Sequence, residues 1–168
     1  MPNDFPDFLK WIPEASSIIN YEQNFEETKT AIQKAEIIFT LDFNALNRTG
    51  GLATELEQAA ADFILIDHHQ QPDDYALVTY SDVAMCSTSE MVFHFMEKLE
   101  GIKLLNKEIA TQLYVGIMTD TGSFRFQTTT ATTHRVIADL MEAGAENASI
   151  HENVYDTNSP DRLKLLGT

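Results

Sequence analysis

Ile37-Ile38-Phe39-Thr40-Leu41-Asp42 and Phe63-Ile64-Leu65-Ile66-Asp67-His68-His69 are two short apolar runs, each closed by side chains that can bind a metal ion. Runs of this length, bounded by turn residues, read as buried strands of a parallel sheet. In open α/β sheets, ligands bind beyond the carboxyl ends of the strands. Asp42 and the triplet Asp67-His68-His69 fall at such ends. A third apolar segment, Tyr114-Val115-Gly116-Ile117-Met118-Thr119, ends in Asp120-Thr121-Gly122. Three apolar segments, each delivering carboxylate or imidazole at its carboxyl end, predict one polynuclear metal site.

Working outward, helix and strand alternate through the first half. The opening to Pro13 is aromatic and Pro-rich and reads as irregular, with a short strand allowed at Ser17–Asn20. Phe25–Lys34 reads as a helix with Asn24 as its N-cap. Asn44–Gly51 is a loop built on Asn47-Arg48-Thr49-Gly50-Gly51, and Leu52–Ala61 has helical composition. After the polar loop Gln70–Asp74, Tyr75–Tyr80 alternates weakly and reads as another strand. The second half is helical. Ser87-Thr88-Ser89-Glu90 offers hydroxyl caps to the apolar helix Met91–Met96, which ends near Gly101. Asn106 caps a helix running to Thr119, and Thr128–Thr133 leads into Val136–Met141, closed by Gly144. Ile150–Val154 and Arg162–Leu166 are short helical candidates. The order predicts an α/β fold, a three-layer parallel sheet with few strands and incomplete at its N-terminal side.

The chain has 168 residues, is 43% apolar and carries ten Phe, which suits one globular domain with a real core. No apolar run approaches the roughly 20 residues that cross a bilayer. The first residues lack a basic region followed by an apolar stretch, so they do not read as a secretory signal. One cysteine, Cys86, excludes an internal disulfide framework. These features together lead us to expect a cytoplasmic protein without membrane contact. The net charge of −15 disfavours long duplex nucleic acid, whose binding rests on Lys and Arg neutralising phosphates. It leaves room for a short phosphorylated substrate, because bound divalent cations invert the field of an acidic cleft.

Carboxylates combined with imidazole suit Mn²⁺, Mg²⁺ or Zn²⁺. Two such ions ~3.5–4 Å apart activate water and stabilise both oxygens of a phosphoryl transfer. Asp42 is the natural bridging carboxylate, with His68 and Asp120 as terminal ligands. His69 faces away from His68 if the strand continues, toward substrate phosphate or a leaving group. Each residue alone reads as an ordinary turn or loop residue; the set of three behind apolar runs carries the signal. The simpler readings hold elsewhere. His94 is a packed helix histidine, His134 and His151 lie on solvated helix faces, Phe93, Phe95 and Met96 are core, and Cys86 is a buried thiol.

Thr40-Leu41-Asp42-Phe43-Asn44, Ile66-Asp67-His68-His69 and Gly116-Ile117-Met118-Thr119-Asp120-Thr121-Gly122-Ser123-Phe124-Arg125-Phe126 resemble, in order, the second, third and fourth motifs of the DHH phosphoesterase family. Ser87-Thr88-Ser89-Glu90 resembles the serine-threonine patch that follows the Asp67-His68-His69 motif. The likeness is strongest to the bacterial branch that hydrolyses very short oligoribonucleotides and 3′-phosphoadenosine 5′-phosphate. It implies that Asp42, His68 and Asp120 bind Mn²⁺ (two ions in the parent enzyme, Mg²⁺ as a substitute) and that Asp67 orients its neighbours. It further implies that His69 meets the substrate, with Arg125, Ser87 and Thr88 also contacting it. The family's first motif, a His followed by an Asp-x-Asp pair, has no counterpart, and neither does its second domain. Residues 1–155 are therefore expected to be a partial DHH domain, with 156–168 the start of a linker, and the chain alone to be inactive or very weak. Hydrolysis of inorganic pyrophosphate or polyphosphate, or a non-catalytic nucleotide- or metal-binding remnant, stand as alternatives. A homo-oligomer is allowed, since missing strands would leave Ile37–Leu41 as an open edge.

Overall fold

The computed structural model describes residues 1–156. Its centre is a parallel sheet of β1 (Ile37–Leu41), β2 (Asp62–Asp67) and β3 (Val78–Ser81), in that order. The β1–β2 register pairs Ile38 with Phe63 and Leu41 with Ile66, so both strands end at one level. That shared level places Asp42 beside the residues that follow Asp67.

Helices cover both faces. On one side, α1 (Phe25–Lys34) and α2 (Ala53–Glu57) bring Ile32 and Leu56 into a cluster with Leu46, Leu52, Ile38 and Phe63. Helix α1 forms where two Glu in its first turn and Lys34 in its last complement the peptide dipole. On the other side, α3 (Thr88–Lys98) packs on the sheet, with Phe95 edge-on to Phe39. Beyond it, α4 (Lys107–Asp120), α5 (Ala131–Glu142) and α6 (Asn147–His151) build the larger core around Phe93, Ile117, Met118, Leu140 and Ile150. Thr130 and Thr133 close a reciprocal capping box at the start of α5. The α/β layering and the few-stranded parallel sheet are those read from the sequence. Among the described residues no helix is long and apolar enough to cross a membrane.

Several elements differ from expectation. Ser17–Asn20 joins no sheet: Ala15–Ser17 is a 3₁₀ turn, and the Ile19 carbonyl accepts the Met1 amino group at 2.7 Å. Asn24 precedes α1 without capping it by its side chain, whose amide turns back to the Asn20 carbonyl. The helix expected over 52–61 is shorter, because a 3₁₀ stretch, Leu46–Leu52, takes its beginning and a turn its end. The third strand starts at Val78, not Tyr75. Tyr75 instead packs on Phe63 and donates its hydroxyl to Thr40 Oγ1 at 2.8 Å. The Arg162–Leu166 candidate and the expected linker past residue 156 lie outside the described residues.

Among the described residues strand β1 pairs with β2 alone, which leaves its other edge open. Ile37, Phe39 and Leu41 are 54%, 49% and 42% exposed along it. An open apolar edge templates pairing with another chain. The 168-residue chain is expected to self-associate, and Ile37→Lys to shift it toward monomer in sedimentation velocity. A wild-type chain that stays monomeric at high concentration would sink this expectation.

Candidate metal centre

Asp42 follows the last residue of β1 in a left-handed conformation, φ 66°, uncommon for a residue with a side chain. This turn lifts its carboxylate out of the strand direction and toward β2. His68 follows β2, and its Nε2 lies 3.5 Å from Asp42 Oδ1. Asp120, the last residue of α4, brings Oδ2 within 4.0 Å of the same Nε2. A separation beyond ~8 Å would have ruled out a shared two-ion centre; the groups instead converge.

His68 Nδ1 sits 3.2 Å from the Met85 carbonyl. A carbonyl only accepts, so Nδ1 carries a proton, and Nε2 is the nitrogen turned toward the two carboxylates. His69 does not diverge from His68. Strand β2 stops at Asp67, so the pleat no longer sets direction, and the two rings stand 4.9 Å apart edge-to-face. Ligand atoms of Asp42, His68 and His69 all lie within 4.8 Å of one another.

Asp67 is fully buried. One oxygen is 2.7 Å from His69 Nδ1, and the other has no hydrogen-bond partner among the described residues. A buried carboxylate with an unpaired oxygen calls for positive charge nearby. Burial, and then the neighbouring charge of Asp42, push the Asp120 carboxyl above its ordinary range. Two carboxylates facing each other across an imidazole lone pair make a donor set that fits a divalent cation.

The first turn of α3 backs this site. Ser87 is buried and its Oγ accepts the Glu90 backbone N–H, so it caps the helix, one of the two roles the sequence suggested for it. Thr88 Oγ1 donates to Asp42 Oδ1 at 2.8 Å. Glu90 is buried, and its Oε2 accepts from Cys86 Sγ at 2.6 Å and from Thr133 Oγ1 at 2.9 Å. Burial and this carboxylate push the Cys86 thiol up to about 12, which makes it an inert structural group, as expected. The partners of His68 and Glu90 were not legible in advance: a backbone carbonyl leaves no sequence signal, and Thr133 lies 43 residues from Glu90.

The loop after Asp120 runs through three successive left-handed residues, Gly122, Ser123 and Phe124. Gly122 enters this conformation without strain, and a Cβ there would meet the exposed Phe126 ring at 2.6 Å, so the ring would have to swing aside. Arg125 is exposed and donates through Nε to the Gly122 carbonyl at 2.6 Å, which leaves its terminal nitrogens open. His134 and His151 are not merely solvated, because both rings pack on Phe124, at 6.0 and 6.3 Å. His94 pairs with Glu97 at 2.7 Å.

Residues 3–117 match the DHH family, N-terminal domain. The chain belongs to the DHH family. It is 28% identical over 165 residues to the bifunctional oligoribonuclease and PAP phosphatase NrnA of Thermus thermophilus, covering 98% of this chain and 46% of that protein. Against the NrnA of Bacillus subtilis it is 31% identical over 100 residues, 59% of this chain and 32% of the other. A crystal structure of an exopolyphosphatase-related protein from Bacteroides fragilis superposes with a TM-score of 0.96 at 37% identity, over 99% of this chain and 49% of that one. The chain thus spans less than half the length of these curated relatives.

Proposed function

We propose that this DHH chain is part of a metal-dependent phosphoesterase acting on short oligoribonucleotides and on 3′-phosphoadenosine 5′-phosphate. The observation that carries the reading is the convergence of Asp42, His68 and Asp120 at the carboxyl edge of the sheet. The names of the Thermus and Bacillus relatives support the substrate class. Asp42, His68 and Asp120 would hold Mn²⁺ or Mg²⁺, which supplies Lewis-acid stabilisation of charge on a phosphoryl oxygen.

The chain's own residues do the rest. The Met85 carbonyl fixes the His68 tautomer, and Asp67 holds His69 through Nδ1. That leaves His69 Nε2 free to carry a proton to or from a substrate oxygen. Arg125, on the loop after Asp120, is placed to meet a phosphate with its open guanidinium nitrogens. Hydrolysis of polyphosphate is the second reading, favoured by the exopolyphosphatase-related neighbour.

Calorimetric titration tests the metal assignment. Three ligand side chains supply too little negative charge for two dications side by side. The 168-residue chain is expected to bind one Mn²⁺ weakly, and Asp42→Asn to lose that binding. No heat of binding would overturn the assignment, and two tight ions would overturn the ligand count. Turnover of 3′-phosphoadenosine 5′-phosphate against polyphosphate, in a protein that retains Mn²⁺-dependent activity, separates the two substrate readings.

A further inference from the structure

Asp42 is poorly restrained by its own surroundings. Its side chain is 54% exposed, its backbone is left-handed, and it follows a strand with a neighbour on one side only. A short exposed carboxylate in that position samples several rotamers, and each one lost on metal binding costs affinity. One contact opposes this. Thr88, the first residue of α3 and 5% exposed, donates Oγ1–H to Asp42 Oδ1 at 2.8 Å across 46 residues of sequence. The same Oδ1 faces His68 Nε2 at 3.5 Å, while Oδ2 accepts no hydrogen bond among the described residues.

Thr88 is not needed for the helix itself. The cap of α3 is Ser87, whose Oγ takes the Glu90 N–H. The hydroxyl of Thr88 therefore has one partner, and that partner is the carboxylate. Its donor position restrains the rotamer of the carboxylate and keeps Oδ1 beside the imidazole. A carboxylate held in this way can bind through one oxygen or through both without reorganising.

We propose that Thr88 is a positioning residue: its hydroxyl holds the Asp42 carboxylate in the orientation that receives a divalent cation. The proposal rests on the reading that Asp42, His68 and Asp120 hold that cation. In this role Thr88 acts through Asp42, the partner of its hydroxyl. Partners of this kind, one bond behind a ligand, commonly set metal affinity by 10- to 100-fold.

Two variants separate the hydroxyl from the bulk. Thr88→Val keeps the volume and removes the donor, whereas Thr88→Ser keeps the donor and removes a methyl group. The 168-residue chain of each is titrated with MnCl₂ by calorimetry, and its melting is followed with and without Mn²⁺. Thr88→Val is expected to melt near wild type without metal and to bind Mn²⁺ about tenfold more weakly. Thr88→Ser is expected to bind within a fewfold of wild type even if it melts lower. Equal affinity of the Val variant and wild type overturns the proposal and leaves the metal reading standing. Equal losses in Val and Ser point to packing and overturn it too. Absence of Mn²⁺ binding by wild type overturns both.

Discussion

Asp120→Asn is expected to raise the melting temperature of the metal-free chain and to abolish its stabilisation by Mn²⁺, so that the order of wild type and variant reverses when the ion is added. The sign follows from the raised pKa of Asp120, which burial causes first and the charge of Asp42 second. A carboxyl raised in the folded state favours folding below its ordinary range. That contribution is lost as pH rises through the raised value. At neutral pH the charge on Asp120 therefore opposes the fold. Asn keeps the shape and removes the charge. The side chain is 36% exposed, so solvent screens the effect and the gain is held below about 1 kcal/mol. The loss is larger. An ion at a hundred times its dissociation constant stabilises its protein by about 2.7 kcal/mol, roughly 5–10 °C for a chain of this size. Melting curves at neutral pH with and without MnCl₂ check both halves. An Asn variant that melts lower without metal refutes the electrostatic account, and one stabilised by Mn²⁺ as wild type is refutes Asp120 as a ligand.

The convergence of Asp42, His68 and Asp120 was legible because these residues lie where apolar runs stop. Ile37–Leu41 and Phe63–Ile66 are short and uniformly apolar, a pattern that a parallel strand covered by helices produces. The carboxyl-end rule then brings Asp42 and His68 together without further information. Asp120 needed no strand, since an apolar helix ending at the same edge serves equally well. What stayed hidden depends on partners far away in sequence. Ser87 and Thr88 read as neighbours with one role, yet one caps a helix and the other reaches Asp42. Glu90 is buried beside Cys86 one turn back and Thr133 from α5, and the second of these partners, 43 residues away, leaves no local signal. Tyr75 has the alternation of a strand, but its hydroxyl finds Thr40 and its ring finds Phe63 before β3 begins. Local pattern placed the ligands; the groups that hold them are tertiary.

Gly116→Ala is expected to cost both stability and metal binding, although Ala is the better helix former. Gly in a helix interior ordinarily costs up to about 1 kcal/mol against Ala, so its presence in the middle of α4 needs a cause. Its φ is not left-handed, and the cause is space. A Cβ at 116 would lie 1.9 Å from Ser89 Oγ and 2.8 Å from Ser89 Cβ. The Ser89 hydroxyl can rotate away, but its Cβ cannot, so α3 and α4 must separate. Overpacking of this kind costs about 1–3 kcal/mol. Asp120 lies one helical turn beyond Gly116 on the same face of α4. Displacing α4 therefore draws its carboxylate from His68, which it meets at 4.0 Å. The rescue discriminates this account from a general intolerance of Ala. Ser89→Ala removes the closer contact only and should restore Gly116→Ala in part. Ser89→Gly removes both and should restore melting and Mn²⁺ affinity further, a favourable coupling in a double-mutant cycle. Additive losses in the cycle, or a Gly116→Ala chain that melts and binds Mn²⁺ like wild type, would show that the close approach of α3 and α4 does not set the position of Asp120.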